Sequence, residues 1–350
     1  MDGVTVAVAY CSRDDVMAAL DVAETARTAA QIDRLSLAAS RSVDSLTHRV
    51  FYPTAATRYV DWPSDQLGTA HRVWLDGAHE LISLTSVTSG GTALTSYFLE
   101  PQGSGPPYTR LEVDLSGSDS LSAGDTHQRS LALTGVFGAC ADTASATTLA
   151  EALDTSETGV DVAGGLLSPG HLIKVDSEYM TVTGRSLLTT GVTLSGALTA
   201  AKTGTSVAVS SAASFTPGEV ITVDSERMLI TDIAGSTLIV ERAWSGSVLA
   251  AHSSGTTVYA GRTLTVQRGQ LGTTAASHDS GTTVYRHVPP PLVHQLTVAE
   301  TLVALAREQS GYARTIGSGE ATRNASGGDL ADLRKQVYRA HGRKGRKAAV

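Results

Sequence analysis

Pro169-Gly170-His171-Leu172-Ile173-Lys174-Val175-Asp176-Ser177-Glu178-Tyr179-Met180 returns 48 residues later as Pro217-Gly218-Glu219-Val220-Ile221-Thr222-Val223-Asp224-Ser225-Glu226-Arg227-Met228. A second repeat has an offset of 26 residues and needs no gap. It aligns Thr237-Leu238-Ile239-Val240-Glu241-Arg242 with Thr263-Leu264-Thr265-Val266-Gln267-Arg268, and residues 252–259 (HSSGTTVY) with 278–285 (HDSGTTVY). Each unit reads as a strand, a Gly/Ser turn and a second strand. Two or three such units suit one small β-barrel or sandwich and are too few for a solenoid.

The repeats also bear on the chemistry. His252 and His278 are equivalent, which points to polar contacts that serve the turns. Asp279-Ser280-Gly281-Thr282 matches the D-[ST]-G-[ST] turn of aspartic proteases. Its partner carries Ser253 in place of Asp279, so the turn reads as structural. Trp244 aligns with Gln270, which argues against an aromatic sugar platform shared by both units.

Residues 54–140 read as a small antiparallel β module. Residues 72–75 (RVWL) and 80–84 (ELISL) flank Asp76-Gly77, a hairpin signal. Gly90-Gly91 marks another turn. Leu111, Val113 and Leu115 alternate with polar residues, and 131–137 (LALTGVF) predicts a further strand.

The two ends are helical. Ser12 followed by Asp15 is an S-x-x-D cap for a short helix through Leu20. Ile32, Leu35, Ala39, Val43, Leu46 and Val50 fall on one helical face before Pro53. After Pro289-Pro290-Pro291, the stripe Leu292, Leu296, Ala299, Val303, Ala306 predicts a helix stopping by Gly311. Residues 317–328 read as a flexible link. Asp329 and Asp332 then open a last helix with Leu330, Leu333, Val337 and Ala340 on one face and Gly342 at its end. The expected fold class is therefore α+β. The amino- and carboxyl-terminal segments would form a helical core, with a long β-rich insertion of an antiparallel module plus a repeat-containing β-barrel or sandwich. The expected divisions are 1–53, 54–140, 141–288 and 289–350.

Composition narrows the class. Charged residues are 17% and aromatics 5%, against a charged share of roughly 25% in ordinary domains. Cys11 and Cys140 have no metal-ligand spacing. The first ten residues lack a secretory pattern, and no apolar run reaches the roughly 18 residues of a spanning helix. The chain is expected to be made in the cytoplasm without membrane contact. G-x-S-x-G, H-E-x-x-H and P-loop patterns are absent, and the ten histidines are scattered. No catalytic residue, metal or cofactor is expected. Trp62, Trp74 and Trp244 read as core anchors.

Charge is unevenly distributed. From residue 334 onward there are seven basic side chains and no acid, so with a net charge of −7 the preceding residues sum to −14. A basic tail on an acidic body suits an acidic partner surface or a polyanion. Nonspecific duplex binding is one alternative, and it would weaken steeply with salt.

Tyr10-Cys11-Ser12-Arg13-Asp14-Asp15-Val16, Ala29-Ala30-Gln31-Ile32-Asp33, Ala38-Ala39-Ser40-Arg41-Ser42-Val43-Asp44 and Phe51-Tyr52-Pro53 resemble the amino-terminal helical segment of phage head-to-tail adaptor (connector) proteins, particularly those of tailed phages of actinobacteria. Residues 308–314 (EQSGYAR) and the last helix resemble the carboxyl end of that group. Gly124-Asp125-Thr126-His127-Gln128-Arg129 and Gly135-Val136-Phe137-Gly138 are similar to its middle. The resemblance implies a non-enzymatic virion protein of the neck. It would form a ring, usually of twelve copies, under the portal, extend the double-stranded DNA channel without reading sequence, and meet a stopper or tail protein. It assigns portal docking to the carboxyl-terminal segment. The residues are Leu330, Leu333, Arg334, Lys335, Val337, Tyr338, Arg339, Arg343, Lys344, Arg346 and Lys347. The β insertion would lie outside the ring, against the capsid, the portal or a neighbouring subunit. The alternative is a receptor- or carbohydrate-binding virion protein whose β repeats carry the function.

Overall fold

The computed structural model describes residues 8–20, 26–62, 71–75, 80–309, 315–316, 323–324 and 328–343. Antiparallel sheets of ten, four and three strands and one two-stranded pair account for the strands. Among the described residues four α-helices accompany them: α1 Arg13–Leu20, α2 Ala26–Thr47, α3 Pro291–Gln309 and α4 Gly328–His341. The protein is mostly β, and this corrects the expected helical core. Large apolar side chains bury themselves chiefly in three strand-built clusters. The helices do meet, through a small cluster of Cys11, Val16, Ile32, Leu35 and Leu305. Much of their remaining apolar surface packs on β structure, where Val43, Val293, Leu296 and Val337 share a cluster with Leu172 and Tyr179. They form a layer on the sheets.

The local helix signals act as the sequence predicts. Ser12 Oγ accepts the Asp15 N–H at 3.2 Å, and Asp15 Oδ2 accepts the Ser12 N–H at 2.7 Å. This reciprocal pair satisfies two donors at the start of α1. The Arg13 N–H donates to the Pro169 carbonyl at 2.9 Å, and Arg185 reaches Asp14 at 2.7 Å. The cap thus fastens the helical layer to the repeat region as well as starting the helix.

The four-stranded sheet runs in the order Thr54–Val60, Leu131–Phe137, Leu81–Ser89, Thr92–Ala93. Gly90 and Gly91 both have positive φ and turn the last two strands in a tight hairpin. The three-stranded sheet runs Arg72–Trp74, Arg110–Val113, Tyr97–Glu100. The hairpin expected around Asp76-Gly77 is therefore corrected: its two flanking strands lie in different sheets. Residues 76–79, the expected turn, lie outside the described residues. Val73, Leu111 and Val113 from one sheet bury with Leu81, Leu131, Leu133 and Phe137 from the other. That shared cluster explains the pairing, since both strands gain more from facing one core than from facing each other.

The ten-stranded sheet is built from two nested copies of one unit. The inner unit comprises Ser206–Ala208, Val220–Val223, Glu226–Ala234 and Thr237–Glu241. The outer unit comprises Thr143–Thr148, Gly159–Asp161, Leu172–Val175 and Thr283–His287. Two long strands, Glu178–Thr193 and Thr257–Gln270, run through both and pair with each other. Each unit has its own core, and the cores match side chain for side chain. Ile221, Val223, Met228, Ile230, Leu238, Val240 and Val258 pack in the inner one. Ile173, Val175, Met180, Val182, Leu264, Val266 and Val284 pack in the outer one. The chain begins the outer unit, completes the inner one and returns to close the outer one. This order is the origin of the two different repeat offsets.

Arg262 stands where the units meet. Its guanidinium donates to both oxygens of buried Glu219 at 2.8 and 3.1 Å. It also donates to the Ala163 and Ser214 carbonyls, both at 2.7 Å, and lies over the Phe215 ring. Ala163 belongs to the outer unit, whereas Ser214, Phe215 and Glu219 belong to the inner one.

A turn of the outer unit docks on the four-stranded sheet. The Ala55 N–H donates to the Leu271 carbonyl at 2.8 Å, and a Cβ on Gly272 would lie on the Ala55 carbonyl oxygen. Only glycine allows the two backbones to come this close.

Candidate functional site

The carboxyl-terminal helix carries most of the residues assigned to docking, and its packing divides them. Val337 is fully buried, and Leu330 and Leu333 are partly buried against Val43, Phe51 and Leu296. The apolar stripe therefore packs, at least at Val337, on the chain's own body. Arg334 points to Glu300 of α3 at 2.7 Å. On the opposite face, Lys335, Tyr338 and Arg339 are exposed, and Lys335 meets Asp332 at 3.0 Å. The Arg343 N–H closes the segment by donating to the Thr47 carbonyl at 3.0 Å, at the end of α2. Lys344, Arg346 and Lys347 lie outside the described residues. So does most of the expected link 317–328, of which residues 323–324 pair with Thr315–Ile316.

Beneath α4 lies a cluster of side chains drawn from the motifs quoted above. The Tyr10 hydroxyl donates to Asp44 at 2.5 Å and accepts the Phe51 N–H at 2.9 Å. Burial, with Asp44 beside it, pushes the Tyr10 hydroxyl well above its ordinary range. Arg41 joins Asp44 at 2.8 Å, the Tyr52 hydroxyl at 3.2 Å and the Val8 carbonyl at 2.8 Å. His341 of α4 sets its ring edge-on to Phe51. Arg49 bridges the layers, donating to Glu80 at 2.9 Å and to the His341 carbonyl at 3.3 Å. Tyr10, Arg41, Asp44, Phe51 and Tyr52, from segments far apart in sequence, thus join in one cluster, and its aromatic side chains share a core with Val337 of the helix that presents the basic face.

No family model, curated protein or solved structure matches the chain.

The repeat histidines sit in two equivalent polar networks. In the inner unit, Glu226 accepts from Arg242 Nε and Nη2, both at 2.7 Å, and from the Ala243 and Ala250 N–H groups, both at 3.0 Å. His252 Nε2 lies 2.9 Å from Glu226, and its Nδ1 lies 2.7 Å from Asp224. In the outer unit Glu178, Arg268, Gly269, Ala276, His278 and Asp176 repeat the arrangement within a few tenths of an ångström. Both arginines also donate to carbonyls of the crossing loop, Thr199 and Gly204 in one unit and Asp154 and Glu157 in the other. Asp176 and Asp224 occupy left-handed turn positions, which short polar side chains tolerate.

The histidines thus serve the turns, as their equivalence suggested. The identical Glu and Arg positions were not singled out from sequence. Their signal was available: a charged residue kept in both copies of an otherwise apolar strand needs a buried partner.

Burial pushes the Glu178 and Glu226 carboxyls up, but hydrogen bonds from the arginine, the histidine and two backbone N–H groups outweigh it and hold both at about 2. An unfolded glutamate titrates near pH 4.3. The folded value is lower, so the stabilisation is fully present above about pH 4.3 and lost as pH falls through about 2. A thermal-unfolding series should show the midpoint falling steeply across that interval. A midpoint that stays level down to pH 2.5 would contradict this account.

The other candidates resolve into structural roles. Gly281 and Gly255 turn equivalent exposed loops with positive φ, and Ser280 Oγ donates to the Ala150 carbonyl. Asp279 lies exposed on the Gly281 loop. Among the described residues no group of three potential ligands could hold a metal. Cys11 and Cys140 are free and buried, and burial pushes both thiols up to about 11. Trp62 packs partly buried beside His127. Trp74, expected as a core anchor, is instead 37% exposed beneath Arg110. Tyr259 and Tyr285 are equivalent in the repeat and are 38% and 40% exposed.

Proposed function

We propose that this protein is a structural component of a phage neck, a head-to-tail adaptor that forms a ring under the portal. The observation that carries this reading is the cluster of Tyr10, Arg41, Asp44, Phe51 and Tyr52 beneath α4. Five residues from three of the motifs that resemble the adaptor family contact one another, and their aromatic side chains pack with Val337 of the helix carrying the basic surface. Lys335, Tyr338 and Arg339, continued by Arg343, Lys344, Arg346 and Lys347, form the portal-docking element in this reading. Its apolar stripe braces it from behind. The acidic remainder suits a DNA conduit, since an acidic wall repels phosphate and does not trap it. The β units would project towards the portal, the capsid or a neighbouring copy, with a stopper or tail protein below.

The test is co-sedimentation with portal-bearing, DNA-filled heads that lack neck proteins. Truncation should follow Arg343, because removing α4 would open the cluster around Val337. The full chain should sediment with the heads, and the 1–343 truncation together with Lys335→Glu and Arg339→Glu should not. If the folded full chain stays in the supernatant, the adaptor reading is overturned. Binding to a polysaccharide that Tyr259→Ala with Tyr285→Ala abolishes would then favour the receptor-binding alternative.

A further inference from the structure

The nested repeat lets the surroundings of one copy be compared with those of the other. In the outer unit, Leu172 and Tyr179 lie on the outward side of the sheet, buried under the helical layer with Val43, Val293, Leu296 and Val337. Thr181, two residues on, is buried as well. The matching residues of the inner unit are Val220, Arg227 and Leu229. Their chain neighbours Ile221, Met228 and Ile230 point into the inner core, so these three stand on the opposite face of the sheet. Ile239 joins them, since Leu238 and Val240 also point inward. So does exposed Tyr259, which pairs with Thr222. Among the described residues no apolar cluster takes in Val220, Leu229, Ile239 or Tyr259.

The uncovered copy is the more apolar one. Where the outer strand reads Met180-Thr181-Val182, the inner one reads Met228-Leu229-Ile230. An unbroken apolar run is the pattern of a strand covered on both faces. The three-stranded sheet has a face of the same kind. Val73, Leu111 and Val113 turn to the core shared with the four-stranded sheet, which places Trp74, Phe98, Arg110 and Glu112 on the other side. Trp74 and Phe98 are exposed there, Trp74 opposite Arg110 and Phe98 opposite Glu112.

We infer that these two faces dock on each other between copies of the chain, the inner unit of one copy against the three-stranded sheet of the next. The chain's own packing supports a sheet as the occupant. The three-stranded sheet already lays its other face on a sheet, through Val73 and Leu111 against Leu81 and Leu131, and a second sheet outside it completes a three-layer stack. Aromatic residues and arginine, the usual anchors of an interface, stand on both faces. Charges of both signs do too. Arg227 and Glu241 lie on one face, and Arg72, Arg110, Glu100 and Glu112 on the other, so each can set an acid against the other's base. The contact joins two different surfaces, and each copy has one of each, so it runs head to tail and can close into a ring. The pairwise contact stands on the faces alone, and its closure into a ring rests on the adaptor reading.

The experiment is analytical sedimentation of the full-length protein over a rising concentration series. The wild type should form species heavier than one chain. Leu229→Asp spoils one face and Phe98→Asp the other, and each should weaken association by about tenfold or more. Mixed in equal amounts, the two variants should recover association and stop at dimers, because each retains the face that the other lacks. Circular dichroism checks folding, and Ile239→Asp or Trp74→Asp replaces a variant that does not fold. A wild type that stays monomeric throughout, or a mixture that associates no better than its components, overturns the inference. Binding to heads is measured separately. Protein that sediments with heads yet stays monomeric alone in solution overturns this contact and not the adaptor reading, and protein that associates yet ignores the heads does the reverse.

Discussion

Glu226→Ala should lower the unfolding free energy by about 3–5 kcal/mol, the cost of leaving a buried charge without its partner. Arg242 and Glu226 have fully buried side chains. Removing the carboxylate strands the guanidinium, the Ala243 and Ala250 N–H groups and one side of His252 together. The guanidinium would keep only the carbonyls of Thr199, Gly204 and Ala250, with no charge to balance it. Glu178→Ala should cost a similar amount, because its surroundings repeat those of Glu226. The comparison is Asp332→Ala, which breaks an exposed pair with Lys335 and should change stability by less than about 1 kcal/mol. Urea unfolding of the three variants would check this. Equal, small losses for all three would show that the repeat networks contribute little.

Arg262→Ala should be as severe, again about 3–5 kcal/mol, because it leaves Glu219 buried and unpaired. Its effect differs in kind. The networks around Glu178 and Glu226 each lie within one unit, whereas Arg262 joins the two by holding Ala163 on one side and Glu219 and Ser214 on the other. Arg262→Lys should recover little, since an ammonium cannot serve both carboxylate oxygens and two carbonyls from one planar group. Denaturant unfolding followed by amide exchange in each unit would read the result. Arg262→Lys behaving as wild type would remove the planar fork from the account.

Much of the fold could be read from local signals, and the failures have a common cause. The Ser12 cap, the α2 stripe from Ile32 to Leu46, the Gly90-Gly91 hairpin and the strand at Leu131–Phe137 depend on neighbours along the chain, and each is found as expected, although α2 ends at Thr47 and leaves Val50 outside the helix. What the sequence left open was the identity of long-range partners. An amphipathic stripe requires that a helix be covered, and Leu172 and Tyr179 cover part of what the neighbouring helices were expected to cover. An amphipathic stripe alone does not distinguish a helical core from a helical layer on a sheet. The strand at Arg72–Trp74 shows the same limit, pairing with Arg110–Val113 across the module. The docking residues illustrate it in miniature. Leu330, Leu333 and Val337 were legible as one face of a helix, but nothing local distinguishes a face turned to the chain's own body from one turned to another molecule. The repeats were legible as repeats, yet their closure was not. The Glu and Arg partners lie 16 residues apart in the inner copy and 90 in the outer one.

That last difference has a consequence for the order in which the protein is made. The inner unit can close as soon as the chain has been synthesised to about residue 259, because all its strands and both halves of its network are then present. The outer unit must wait for Arg268, His278 and the strand Thr283–His287; until then Glu178 lacks its arginine and histidine, and its core lacks Leu264, Val266 and Val284. Closing a short loop costs less entropy than closing a long one, so the early product is also the easier one. The later part of the chain thus returns to complete a unit that shares the strand Glu178–Thr193 with the inner one. Nesting one copy inside the other turns a duplicated sequence into a sequence of events.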